Sequence, residues 1–281
     1  MRRHIALLCV ILACIPFDGR VSRAETTLPT PVLALDFESD GGGLTADVVT
    51  AKGKGIAGGH CLDLSPPNRP VTISDPKILS AISGAWSFTV TGWIRRSVDM
   101  SREYPTESCI VNCPGFFRVI LDKTYRWRLG LEVRRSEPVE TSGLWSSWLA
   151  DFYPDDRWVF FAVTYDGTKS ENNYSVCCGY EQYAVREDQR GSTNGGQLSA
   201  RTPDCLVIGA STPEGEGRLS GMIDGIRIYA TSEKSGDCAL DQQQLDKVRR
   251  SDLGTKYLEK LAAAKEKRCL LYTSPSPRDR S

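Results

Sequence analysis

The residues of this chain able to do chemistry are a handful of carboxylates, two histidines, a few exposed-type aromatics and ten cysteines. Hydrolysis of a glycosidic bond needs two carboxylates flanking it, one as acid and one as base or nucleophile. The nearest candidate, Glu38-Ser-Asp40-Gly-Gly-Gly43, lacks a third carboxylate and closes a strand, so a solvated turn is its simpler reading. His60 is the sole histidine outside the N-terminal leader, so no general-base network or His-rich metal site can be assembled, and it reads as a strand-edge residue. Gly-x-Ser-x-Gly and the phosphate-cradling glycine motifs are absent. Trp145, Trp148 and Tyr153 could form an aromatic platform for a sugar ring, or could pack within the fold.

Seven cysteines lie between the two chain ends: Cys61, Cys109, Cys113, Cys177, Cys178, Cys205 and Cys238. Neither Cys-x-x-x-Cys nor the vicinal pair matches a zinc knuckle, so disulfides are favoured over a thiolate metal site. At least two bridges are expected. Cys109 to Cys113 is the shortest candidate loop, and Cys177 and Cys178 should point to opposite faces of a strand and take separate partners from Cys61, Cys205 and Cys238.

The ends explain the compartment. Met1 to Ala24 opens on Arg2 and Arg3, runs apolar from Ile5 to Phe17 and closes on Ser22-Arg23-Ala24, the pattern of an export signal. The apolar run is short for a membrane span. Ile11-Leu12-Ala13-Cys14 also resembles a bacterial lipobox, which would make Cys14 a lipid anchor, although Leu12 fits that pattern poorly. At the other end, Cys269 to Asp279 resembles the in-frame translation of a transposase sequencing adapter, the competing reading being a Pro/Ser-rich tail. Residues 25–268 carry 29 basic and 33 acidic side chains, a mildly acidic balance without the footprint of a nucleic-acid binder. The expected location is secreted, extracellular or periplasmic.

The elements that must position these residues are strands. Short β-type runs recur between Gly41-Gly42-Gly43, Gly58-Gly59, Pro66-Pro67, Asp166-Gly167 and Gly195-Gly196, which predicts an antiparallel sandwich or barrel. In Trp86 to Ile94 the apolar set Trp86, Phe88, Val90 and Ile94 alternates with Ser87, Thr89 and Thr91, as a half-buried strand requires. Residues 181–203 read as a surface excursion. The C-terminal part reads helical, with a capping box at Asp241 to Gln244 and an amphipathic stretch from Thr255 to Lys267.

Five segments in order carry a resemblance: Ser87 to Ile94; Ile120 to Lys123 with Trp127 to Leu131; Arg157 to Gly167; Leu206 to Gly209; and Gly221 to Tyr229. Together they resemble the successive strands of the laminin-G-like, concanavalin A-like jelly roll. That implies an all-β antiparallel jelly-roll sandwich over 32–250, after a signal peptide (1–24) and a linker (25–31), with a short helical extension (251–268) and the adapter-like 269–281. Trp86, Trp93, Trp127 and Trp158 would then serve its core. Enzymes on this frame resemble laminarinase-type glucanases, whose Glu-x-Asp-x-x-Glu signature is absent here. The resemblance therefore implies a non-catalytic module recognising extracellular glycan or protein surfaces, the alternative being a glycan-active hydrolase or lyase outside that signature. Asn173-Tyr-Ser175 would be a glycosylation acceptor in a eukaryotic secretory pathway.

Register raises a calcium question. Read as an uninterrupted strand, Met222 to Ile228 puts Asp224 on one face with Met222, Ile226 and Ile228, and Asp36 shares a face with Val32 and Ala34. The first and last long strands should be neighbours, and two carboxylates brought together call for a cation, with oxygen-only ligands suiting a structural Ca²⁺. The resemblance implies the same loosely. Against the metal stands a bulge near Gly221 or Gly225, at which Asp224 would simply accept backbone N–H groups.

Overall fold

The computed structural model describes residues 27–38, 50–65, 67–96, 107–122, 128–136, 140–146, 157–255 and 257–264. The N-terminal segment read as an export signal, with its Cys14, the adapter-like tail, Asp40, Trp127, Trp148 and Tyr153 lie outside them. In chain order the strands are β1 (Leu33–Leu35), β2 (Thr50–Lys52), β3 (His60–Asp63), β4 (Val71–Ile73), β5 (Ser87–Arg96), β6 (Glu107–Cys113) and β7 (Phe117–Asp122). Then follow β8 (Arg128–Arg135), β9 (Glu140–Trp145), β10 (Trp158–Asp166), β11 (Tyr174–Tyr180), β12 (Arg186–Gly191), β13 (Leu206–Ile208) and β14 (Gly221–Thr231). Helix α1 (Pro76–Ile82) precedes β5, and α2 (Gln242–Leu253) follows β14.

These elements make the expected all-β antiparallel sandwich. Among the described residues, one sheet has eight strands in the order β12-β11-β10-β5-β14-β3-β2, with β1 also paired to β14, and the other has six in the order β4-β13-β6-β7-β8-β9. Among the described strands, half of the twelve pairings join strands that are not consecutive in the chain, among them β5 with β10 and β14, and β13 with β4 and β6. β1 pairs with β14, Leu33 opposite Ile228, so the first and last strands are neighbours as expected. The inner faces meet in one apolar core in which Phe88 stacks on Phe117 with ring centroids 4.7 Å apart. No helix among the described residues is long and apolar enough to cross a membrane.

The outer face of the larger sheet is not solvated, which corrects the half-buried reading of β5. Ser87, Thr89 and Thr91 alternate with the core residues as expected but are fully buried, because residues 238–253 lie across them. Thr89 Oγ1 donates to the carbonyl of Cys238 (2.6 Å) and accepts the amide of Leu240 (3.0 Å), while Ser87 Oγ accepts the amide of Cys238 (3.2 Å). Trp93 and Trp158 belong to a second apolar cluster under α2 that also takes in Leu245, Val248 and Leu253, not to the inter-sheet core. Trp86 is only half-buried and carries Lys234 over its ring. The helix starts where the capping box predicted: Asp241 accepts the amides of Gln243 and Gln244, and the Gln244 side chain accepts the amide of Asp241. Beyond Gly254 the chain is helical again over 257–264.

Two further expectations change. Residues 181–203 are no simple excursion, for they contain β12 and return Leu198 to the core. Asn173 is buried, its Nδ2 donating to the carbonyls of Lys169 (2.8 Å) and Thr193 (3.2 Å) and its Oδ1 accepting the Thr193 amide, so a folded chain offers no acceptor there.

Candidate ligand-binding face

Because α2 covers the larger sheet, the outer face of the six-stranded sheet is where side chains from β7, β8 and β9 stand side by side, Arg134 and Thr141 exposed, Arg118 half-buried, and Ile120 and Asp122 buried among them. Alternation sends Arg118, Ile120 and Asp122 outward from β7, Arg128, Gly130, Glu132 and Arg134 outward from β8, and Thr141, Gly143 and Trp145 outward from β9. Gly130 lies opposite Trp145, and this pairing shapes the face. A Cβ on Gly130 would fall 2.4 Å from the indole, so the missing side chain is what lets the ring come this close to the strand. The Arg128 guanidinium sits over the ring, 5.4 Å from its centroid, and is itself tied to Asp122 at 3.2 Å. Arg118 grips Glu132 with Nε and Nη2, the latter at 3.0 Å, and reaches Glu107 at 3.4 Å. The result is a half-buried tryptophan in a row of fixed polar groups.

Gly130→Val should evict the ring. The expected outcome is a red-shifted indole emission with greater acrylamide quenching while far-UV dichroism is retained; unchanged emission would show that Trp145 does not rest on Gly130.

Beyond Glu132 this face runs into a cleft of about 760 Å³ at the end of the sandwich. One wall is the β6–β7 turn at Pro114 to Phe116 with the end of β8, the other the segment 199–204. Neither the cleft nor Arg128 was legible as a site, because arginines on strands read simply as a solvated face.

The other sequence candidates fall elsewhere. β14 bulges between Asp224 and Arg227, with Gly225 in the left-handed region at φ 58°. The bulge shifts the alternation by one residue, so Asp224 shares its face with Met222 and Tyr229 under α2, while Ile226 and Ile228 enter the inter-sheet core. That corrects the face assignment. The carboxylate accepts the amides of Ile56 (2.9 Å) and Gly225 (2.8 Å), the bulge alternative to a metal. Asp36 is exposed and accepts the amide of Glu38 at 3.2 Å. Each carboxylate has its own backbone partner, and among the described residues no three His, Cys, Asp or Glu side chains gather as a metal site. Burial pushes the Asp224 carboxyl up to about 7, against the pull of its two N–H partners and with Glu38 and Asp252 adding to it. Asp252 of α2 is pushed up to about 6 by burial, although Arg227 and the Trp93 indole N–H, 2.9 Å away, hold its charge. His60 stands on β3 beside β2, its amide donating to Glu38 at 3.1 Å.

All seven cysteines are thiols in the structure. A bridge between Cys109 and Cys113 is excluded by geometry: both lie on β6, four residues or roughly 13 Å apart, about twice the Cα separation a disulfide spans. Cys177 and Cys178 do face opposite sides, Cys177 toward α2 with Cys61 and Cys238, Cys178 into the inter-sheet core. Burial pushes the Cys61, Cys109 and Cys177 thiols up to about 12 and Cys238 up to about 11, so they are protonated and unreactive at neutral pH.

No protein-family model and no curated protein sequence matches the chain. Solved structures do. The botulinum neurotoxin serotype G binding domain aligns with a TM-score of 0.52 at 12% identity, and the serotype D binding domain with 0.51 at 12%, each over 78% of this chain. The chain spans about half the length of either neurotoxin segment, 50% in both cases. Domain 4 of AbnA, an extracellular arabinanase from Geobacillus stearothermophilus, aligns with a TM-score of 0.49 at 14% identity over 78% of this chain and 98% of that one. At these identities the likeness is one of fold, a two-sheet sandwich.

Proposed function

We propose that this chain is an exported, non-catalytic module that binds extracellular glycans on the open face of its six-stranded sheet. The observation that carries the reading is the half-buried tryptophan seated against Gly130 among fixed polar side chains: an apolar ring flanked by hydrogen-bonding groups suits a sugar, whose ring faces are apolar and whose rim is hydroxyl. The carboxylates of this face support binding over turnover. Asp122 is bridged to Arg128 and Glu132 to Arg118, so each carboxylate is already engaged by a guanidinium on its own face and the two do not stand as a free pair flanking a bound sugar. The two carboxyls that burial does raise, Asp224 and Asp252, are locked under α2 by backbone, Trp93 and Arg227, where no polymer can reach them.

A glycan array run beside reducing-end assays tests the reading. Retention of a glycan class without release of reducing ends is expected, and Trp145→Ala should weaken that retention about tenfold, the loss of one stacked aromatic. Release of reducing ends without retention would overturn it in favour of a hydrolase.

A further inference from the structure

The geometry points to the end cleft as a subsite for the acidic group of an anionic saccharide, with Arg134 and Arg201 as its two anchors. This rests on the glycan-binding reading above and names the class of glycan. The walls are built, not incidental. On one side Arg134 is held by its amide donating to the carbonyl of Phe116 (2.7 Å), and the turn beneath it by Phe116 N to Cys113 O (2.9 Å). On the other, the segment carrying Arg201 is pinned by Gly84 N to Ser199 O (2.7 Å) and by Ser83 Oγ donating to Ala200 O (2.9 Å). A third bond, Ser136 N to Gln197 O at 3.3 Å, ties the walls together at the base.

Charge separates this cleft from the rest of the face. Arg118 and Arg128 are spent on Glu132, Glu107 and Asp122, whereas Arg134 and Arg201 have exposed side chains with no acidic partner among the described residues. Asp204 is the one carboxylate lining the cleft, and Arg135, which also lines it, is buried with Nη1 on the carbonyl of Gly195 at 2.8 Å. A basic cleft on a mildly acidic chain is a local feature. Guanidinium forks match carboxylate and sulfate oxygens in pairs, and the hydroxyls of Ser136, Ser199 and Thr202 on the same walls suit the rest of a sugar. The cleft continues the face that carries Trp145, so an extended chain could stack on the indole and place an acidic residue between the arginines.

Titration calorimetry of the full chain with three trisaccharides of one backbone, neutral, uronate-bearing and sulfated, tests this. At least one acidic form should bind about tenfold more tightly than the neutral form; Arg201→Ala should remove about that factor while leaving neutral binding and the melting temperature unchanged, and Arg134→Ala should lower the acidic-over-neutral preference by about the same factor. Which acidic form gains tells carboxylate from sulfate. Raising the salt from about 0.05 to about 0.5 M should weaken acidic but not neutral binding. Equal affinity for all three forms, or arginine variants that keep the preference, would overturn the subsite while leaving glycan binding intact. Displacement of the acidic trisaccharide by polyglutamate at equal affinity would overturn it in favour of an acidic peptide. Failure of all three saccharides to bind would instead remove the glycan-binding reading itself.

Discussion

Trp93→Ala is expected to destabilise the chain by about 3–5 kcal/mol, the cost of deleting a fully buried large aromatic and leaving its cavity. Trp93 shows 0% exposure on the outer face of β5, packs edge-on against Phe160 at 5.4 Å, and donates its indole N–H to Asp252 of α2. Removing it takes away both the apolar bed of α2 and a partner of a buried carboxylate. Trp93→Phe separates the two terms, because it keeps most of the packing and loses the hydrogen bond, for which about 1–2 kcal/mol is expected. Urea unfolding followed by circular dichroism measures both. A loss under about 1 kcal/mol for the alanine variant would mean that α2 does not rest on this ring.

Stability is also expected to fall as the pH rises from about 5 to about 8, opposite to the trend of a protein held by ionised carboxylates. Asp224 and Asp252 have carboxyls raised from 3.8 to about 7 and about 6 in the folded chain. Between the unfolded value and these values the folded state binds more protons, so their stabilisation is fully present below about pH 4 and is lost as the pH rises through 6 and 7. Two raised groups make the change on the order of a few kcal/mol. Asp166 works in the other direction and in another window. Burial opposes its charge, but hydrogen bonds from Lys169 and Thr168 win and lower its pKa, so its contribution is present above 3.8 and lost as the pH falls below that. The optimum should therefore sit near pH 4–5. Melting temperatures across pH 4.5–8.5 check this, and Asp224→Asn should flatten the slope while losing one of the two backbone bonds. A wild-type profile that rises toward pH 8 would contradict the burial of both acids.

How far the sequence carried depends on which face a residue serves. β5, β10 and β14 were legible because their core residues are large and branched, and the capping box at Asp241 because its two polar positions do one job. β9 and β12 were not. β9 reads Glu-Thr-Ser-Gly-Leu-Trp because it edges the open face, and β12 reads Arg-Glu-Asp-Gln-Arg-Gly because an edge strand is kept from pairing with other chains by charge. β6 was hidden by its register shift between Cys109 and Val111, which buries consecutive residues and breaks the period of two. The same kind of insertion at Gly225 put Ile226 and Ile228 on the face opposite Asp224, and a glycine inside a strand was the signal for it. Of the site, Trp145 was found by residue type, whereas the glycine under it and the arginines around it depend on which strands lie side by side, which one chain does not declare.

The layer laid across β5 sets the order in which this chain can fold. Ser87, Thr89 and Trp93 find their partners in Cys238, Leu240 and Asp252, about 150 residues later in the chain. During synthesis β5, β10, β11 and β12 can therefore pair with an apolar, hydroxyl-studded back open to water, until β14 joins them to β3 and β1 and the segment 238–253 closes that back. Contacts of such long separation make folding slow. A ribosome-bound nascent chain that stops before residue 238 should accordingly attract chaperones through the very surface that is dry in the finished protein.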